Sequence, residues 1–471
     1  MKKEMLGQAS FISFAFILLS LSLVLFSNGE EKVLLIFLPL IYGVFFISLA
    51  RIHKYFNYPG MFVLNVISAI RYVLIPTLII IYPDYNDQYG SLTAGILFMI
   101  FEAMCLGIFL IFITKKYYSG RKIEKHVEVN SEKNILLKLV VILSIFIVML
   151  NPSILLQYNF VFMDSHNIEL IKSGALVSGL SGIFVDWGKL FLPILITIPL
   201  IRKYRKNNND IYYYLVIIII MVFNVLVFSG TSRNSVIMPA VASMFFLLKA
   251  FPKKRRKIFL FMSVSIVIVA LQLTILKTEY LGTRIQASLG DVIDYLELYF
   301  GGPKNMSIAI IAKETYSNMF TINTVINDIL GNFPGLSHLF NMENRTTTFF
   351  NLSFYGGGAA RDQIIPSMGQ GLFYFGYLFS FIPQAIIVYG MAKFDSIYRN
   401  TKDLSGIYFI SYFAVRFGFT YSQNVSIILN FIYVMTIPIM IILLIDRMIN
   451  KRFKFRRSYF YEKNKTAIYN K

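Results

Sequence analysis

Residues 92–113 read LTAGILFMIFEAMCLGIFLIFI, an apolar run interrupted by a single charge, Glu102. At about 1.5 Å per residue such a run crosses the roughly 30 Å hydrocarbon layer of a bilayer as one helix. The pattern recurs near residues 9–27, 33–50, 59–82, 135–150, 176–200, 211–228, 235–250, 258–276, 370–392, 404–419 and 425–445. The expectation is therefore an all-α polytopic membrane protein with about twelve transmembrane helices. The runs at 135–150, 235–250 and 404–419 fall short of the roughly 20 residues a perpendicular helix needs, so they borrow polar flanks or are partly re-entrant.

Composition agrees, with 56% hydrophobic residues and a mean hydropathy of +0.63 in a chain of 471 residues, far from the soluble norm. The formal charge of +20 raises the question of nucleic acid, but the positions of the bases answer it. They gather between alternate apolar runs: Lys2 and Lys3, Arg51 and Lys54, Lys115 to Lys133, Arg202 to Lys206, Lys249 to Lys257, Lys393 to Lys402, and the tail. That one-sided distribution is the mark of cytoplasmic loops; it places both termini in the cytoplasm and calls for no nucleic-acid partner. The expected organisation is a membrane domain over 1–276, one large extracytoplasmic loop over 277–368, further membrane helices over 369–445, and a basic cytoplasmic tail over 446–471. The start of the chain lacks a small-residue cleavage site and reads as the first transmembrane helix. Cys105 is the sole cysteine, so neither an internal disulfide nor a cysteine metal site is expected.

Charges inside the runs are costly and pair or line polar cavities. Arg71 and Glu102 lie at similar depth, roughly 16 Å from the outer ends of their helices. They can pair, or Arg71 can serve as a phosphate ligand. Asp186 and Lys189 stand at i,i+3 spacing and can pair along one face. The stretch Phe228-Ser-Gly-Thr-Ser-Arg-Asn-Ser235 is a polar hinge whose small residues let backbone amides approach an anion beside Arg233. Arg416 lies near the outer end of its helix.

The 277–368 segment carries Arg284, Arg345 and Arg361, and three candidate general bases: His338, Glu343 and Asp362. Tyr355 to Ala360 is nearly free of side chains, and Tyr295, Tyr299, Phe300 and Tyr355 are available to stack on sugars or to anchor at the interface. A Walker A loop, an HExxH motif and paired cysteines are all lacking, so energy has to arrive in the substrate.

The hinge Gly230-Thr-Ser-Arg-Asn-Ser235, Arg71 in an early helix, the large loop, and Ile365-Pro-Ser-Met-Gly-Gln-Gly-Leu372 at the start of the helix that follows it together resemble the Wzy-type oligosaccharide repeat-unit polymerases of O-antigen and capsule synthesis. The likeness is one of architecture over most of the chain and of motif over some thirty residues. It implies a multi-pass protein of the bacterial plasma (inner) membrane that joins undecaprenyl-pyrophosphate-linked repeat units on the outer face, with neither cofactor nor metal. It also implies a chain-length regulator and a flippase as partners beside the bilayer itself. On this reading Arg233 and Arg361 hold the pyrophosphate, with Arg71, Arg284, Arg345 and Arg416 in reserve, and His338, Asp362 or Glu343 takes the acceptor proton. The alternatives are an O-antigen-type ligase, or a flippase or transporter of the lipid-linked oligosaccharide.

Overall fold

The computed structural model describes residues 16, 19, 20, 22, 23, 30–50, 57–82, 85, 92–118, 134–160, 180–207, 210–229, 234–280, 289–358 and 363–450. These are predominantly helical. In chain order the main helices are α1 (Phe37–Ala50), α2 (Pro59–Ile81), α3 (Leu92–Tyr117), α4 (Ile135–Leu150), α5 (Leu180–Lys206), α6 (Ile211–Leu226), α7 (Asn234–Ala250) and α8 (Arg255–Tyr280). They continue as α9 (Leu289–Phe300), α10 (Pro303–Thr315), α11 (Ile322–Leu330), α12 (Thr346–Phe354), α13 (Ser367–Phe379), α14 (Ile382–Asn400), α15 (Leu404–Thr420) and α16 (Val425–Asn450).

Among the described residues four helices have the length and apolar composition to cross a membrane: α2, α3, α5 from Ser181, and α16. The pairs α7–α8 and α13–α14 pass the same test together, bent at a short break by 113° and 109° respectively, so the described residues hold four to six candidate spans. That is a helical membrane protein. The run at 370–392, expected as one span, is instead broken. Gly376 takes φ +71°, a conformation open to glycine, and a side chain at Gly371 would collide with the Ser380 carbonyl, so the chain bends by 109° between α13 and α14. The run at 9–27 lies largely outside the described residues.

The chain forms two compact units. The first comprises Met1–Glu124, Arg284–Asn400 and Ile410–Phe431; the second comprises Lys125–Thr283, Thr401–Phe409 and Ile432–Lys471. In the second, α4 crosses α5 closely because Gly188 faces Ser144, whose hydroxyl donates to Val140 O and Phe184 O at 2.7 and 2.6 Å. Tyr158–Phe160 pairs antiparallel with Val227–Ser229, so the expected hinge at 228–235 begins as a short strand. Asp186 accepts from Tyr158 Oη at 2.7 Å and Lys189 lies over the same ring, so both charges gather on one tyrosine.

In the first unit the 277–368 segment, expected as a loop, is mostly helical, and α10 is buried from Pro303 through Ile310. Its aliphatic residues Ile308, Ala309 and Ala312 pack with Phe349, Phe350 and Phe354 of α12 and Phe373 of α13. The α9–α10 turn needs glycine at Gly301, where φ is +65°, and Pro303 then starts α10 at a position where a missing N–H costs nothing. Asp395 accepts from the Gly60 and Met61 amides, both at 2.9 Å, and from Tyr118 Oη at 2.7 Å, capping α2 from another helix. Helix α3 meets α10 at Gly95, where a methyl would collide with the Pro303 carbonyl. Gly95→Ala is expected to cost about 1–3 kcal/mol through overpacking, read as a lower unfolding midpoint of the purified protein.

Candidate functional site

Two buried polar clusters lie within the first unit. The first is built on α2, where Pro76 cannot donate to the Tyr72 carbonyl. The helix accommodates it by widening to a π-turn over Ile70–Leu74, in which the Ile75 amide donates to Ile70 O, and this turn carries Arg71. Arg71 Nη1 meets Glu102 Oε1 of α3 at 2.6 Å, and Nε donates to Gly301 O at 2.9 Å; neither Arg71 nor Glu102 has any exposed surface. Gln384 Nε2 of α14 donates to the same Glu102 oxygen at 2.6 Å, and Ser68 shares a hydrogen bond with Tyr421 at 2.8 Å. Of the two roles open to Arg71, the structure gives the pairing one. Arg71 braces Glu102 and the Gly301 turn as a strut, with its Nη2 buried without a hydrogen-bond partner.

The second cluster centres on Asp328 of α11. One carboxylate oxygen, Oδ2, accepts from Thr346 Oγ1 at 2.6 Å, Tyr374 Oη at 2.7 Å, and the Thr346 amide and Gln370 Nε2 at 3.3 Å. Gln370 Oε1 in turn accepts the Val425 amide at 2.7 Å, tying α13 to the start of α16. The other carboxylate oxygen, Oδ1, is buried without a hydrogen-bond partner. Next to Thr346 stands Arg345, 7% exposed, its guanidinium laid against the Cα of Gly331, where a side chain would collide with Nη2. Arg345 Nε and Nη2 are buried without hydrogen-bond partners. Arg345 thus carries a positive charge beside Asp328 with donors unspent, and a group bearing anionic oxygens would satisfy them.

Burial pushes the Asp328 carboxyl up, against the pull of its hydrogen bonds from Thr346, Tyr374 and Gln370, and burial draws Arg345 down, with Asp328 opposing. A folded-state value above the unfolded one means that the folded chain holds the extra proton. Stability from Asp328 is then greatest below about pH 4 and falls as pH rises through the raised value. Asp328→Asn is expected to remove this slope. Calorimetric midpoints of parent and variant taken across that window should diverge, and parallel curves would assign the titration elsewhere.

Arg233, Arg284, Arg361 and Asp362 lie outside the described residues. His338, on a short turn at Ser337–Leu339, and Glu343 are both exposed, the latter two residues before Arg345. Arg416 sits on α15 with its guanidinium 5.4 Å from the Phe431 ring centre, a cation–π contact. Gly356 and Gly357 take positive φ in an open turn, and Asn351 clasps Gln363 across it with bonds of 2.9 and 3.0 Å. Among the described residues no three His, Cys, Asp or Glu side chains come together as a metal site.

Asp328, Gln370, Tyr374 and Gln384 were not among the expected site residues. Gln370 and Tyr374 at i,i+4 on an apolar helix were the available signal, since an amide and a phenol on one face of such a helix need partners. No family model, curated protein or solved structure matches the chain.

Proposed function

We propose that the chain is a polysaccharide polymerase of the bacterial plasma membrane, joining undecaprenyl-pyrophosphate-linked repeat units on the outer face through about twelve spans with both termini cytoplasmic. The observation that carries the reading is Arg345: a buried guanidinium with unpartnered nitrogens within a helical membrane protein. The likeness to Wzy-type polymerases supplies the substrate.

In the reaction the acceptor hydroxyl attacks the donor's anomeric carbon, the carbon–oxygen bond to pyrophosphate breaks, and the electron pair leaves with the phosphate. Arg345 neutralises the charge that grows there. The acceptor proton passes to a base, for which the exposed side chains Glu343 and His338 of the same segment are the candidates. Asp328 and Gly331 position the guanidinium and do not touch substrate.

The test supplies purified protein with lipid-linked single repeat units and resolves the products by glycan length. A ladder of multiples supports the polymerase. Intact donor with no ladder, together with translocation of the same lipid in liposomes, would replace the proposal with a flippase.

A further inference from the structure

The second unit holds a surface that the polymerase reading does not use. Tyr204 at the end of α5, Phe251 after α7 and Tyr214 at the start of α6 pack edge to face, with ring centres 5.0 Å apart for Tyr204–Phe251 and 5.2 Å for Tyr214–Phe251. Lys254 lies on this aromatic core, its Nζ 3.7 Å from the Tyr214 ring centre, and Arg205 reaches the Ala250 carbonyl at 3.4 Å. The packing brings two basic segments together: exposed Lys203, Arg205 and Lys206 on one side, and exposed Arg255, Arg256 and Lys257 on the other. Asp210 in the first of these segments caps α6, accepting from the Tyr212 amide.

We infer that this basic end of α5, α6, α7 and α8 is a binding surface for anionic phospholipid headgroups. Two features favour a lipid over a soluble polyanion. Exposed apolar faces begin within a turn of the cations, with Leu260, Phe261 and Val264 on α8 and Ile211 and Leu215 on α6, so a headgroup held by the cations has a seat for its acyl chains. Tyr212 and Tyr213 stand at the same level, where amphipathic rings mark the boundary between headgroups and hydrocarbon. Each base near such a surface attracts anionic lipid, and the attraction is screened by salt.

The experiment adds phosphatidylglycerol, phosphatidylcholine or inorganic pyrophosphate to the purified full chain in uncharged detergent and follows thermal unfolding by the fluorescence of Trp187, which lies in the same unit. Phosphatidylglycerol in large excess is expected to raise Tm by about 5 °C. Phosphatidylcholine should give little shift, and 0.5 M salt should halve the effect. The double variant Arg256→Gln, Lys257→Gln should keep the parent Tm without lipid and lose at least half of the shift. Should that variant fold poorly, Lys203→Gln with Lys206→Gln should show the same loss. An equal shift from phosphatidylcholine, a full shift in both variants, or a shift from pyrophosphate that lipid does not exceed would overturn the inference.

Discussion

Arg71→Met is expected to destabilise the first unit by about 3–5 kcal/mol, the cost of leaving one member of a buried ion pair unmatched. Glu102 would keep its bond from Gln384 but lose its ion-pair partner, and Gly301 O would lose its donor. The turn between α9 and α10 is held by that donor, so the damage should spread to α10 and its contact with α3 at Gly95. Adding Glu102→Gln to Arg71→Met should recover much of the loss, because a neutral amide can still pair with Gln384 and no bare charge remains. Cys105 on α3, half-buried in the same unit, provides the readout through its rate of reaction with a thiol dye on heating. If the single variant opens no faster than the parent, the pair is not the strut described.

Arg345→Ala is expected to reduce chain extension by about 10²–10³-fold, the scale seen when a donor aimed at developing negative charge is removed. Arg345→Lys should recover only part of this, since an ammonium keeps the charge but not the planar fork that grips two oxygens. Gly331→Ala separates position from charge. The φ there is negative, but an added methyl would occupy the space of Arg345 Nη2 and crowd the Asn327 carbonyl, pushing the guanidinium aside. Its activity should therefore fall while the total charge stays constant. Donor hydrolysis and ladder length, measured on the same samples with thermal unfolding as control, distinguish these outcomes. Full activity in Arg345→Ala at parental stability would remove Arg345 from the site.

Glu343→Gln and His338→Ala extend the test to the proton acceptor. Both residues are exposed and neither holds an element together, so their effects on activity can be read without a large change in stability.

Membrane class, helical content and the isolation of a few charges were legible because they depend on composition and on runs of like residues, which survive any arrangement of the helices. The match of Arg71 to Glu102 was legible in the same way, since equal depth in two helices and opposite charge in a low-dielectric medium leave few other partners. Position along the chain says nothing, however, about what lies across from a residue. Asp328, Thr346, Gln370 and the Val425 amide are separated by many residues and meet only because α11, α12, α13 and the start of α16 converge. The same convergence made Arg345 a buried cation and left His338 in solvent, although both belong to the same stretch. The break in α13–α14 likewise needed the tertiary structure, because an apolar run of spanning length has the same composition straight or bent. Apolar patterning alone determined that the chain enters a bilayer, since transfer free energy adds up residue by residue. Which polar groups share a buried space depends on helix packing, and that the structure alone decided.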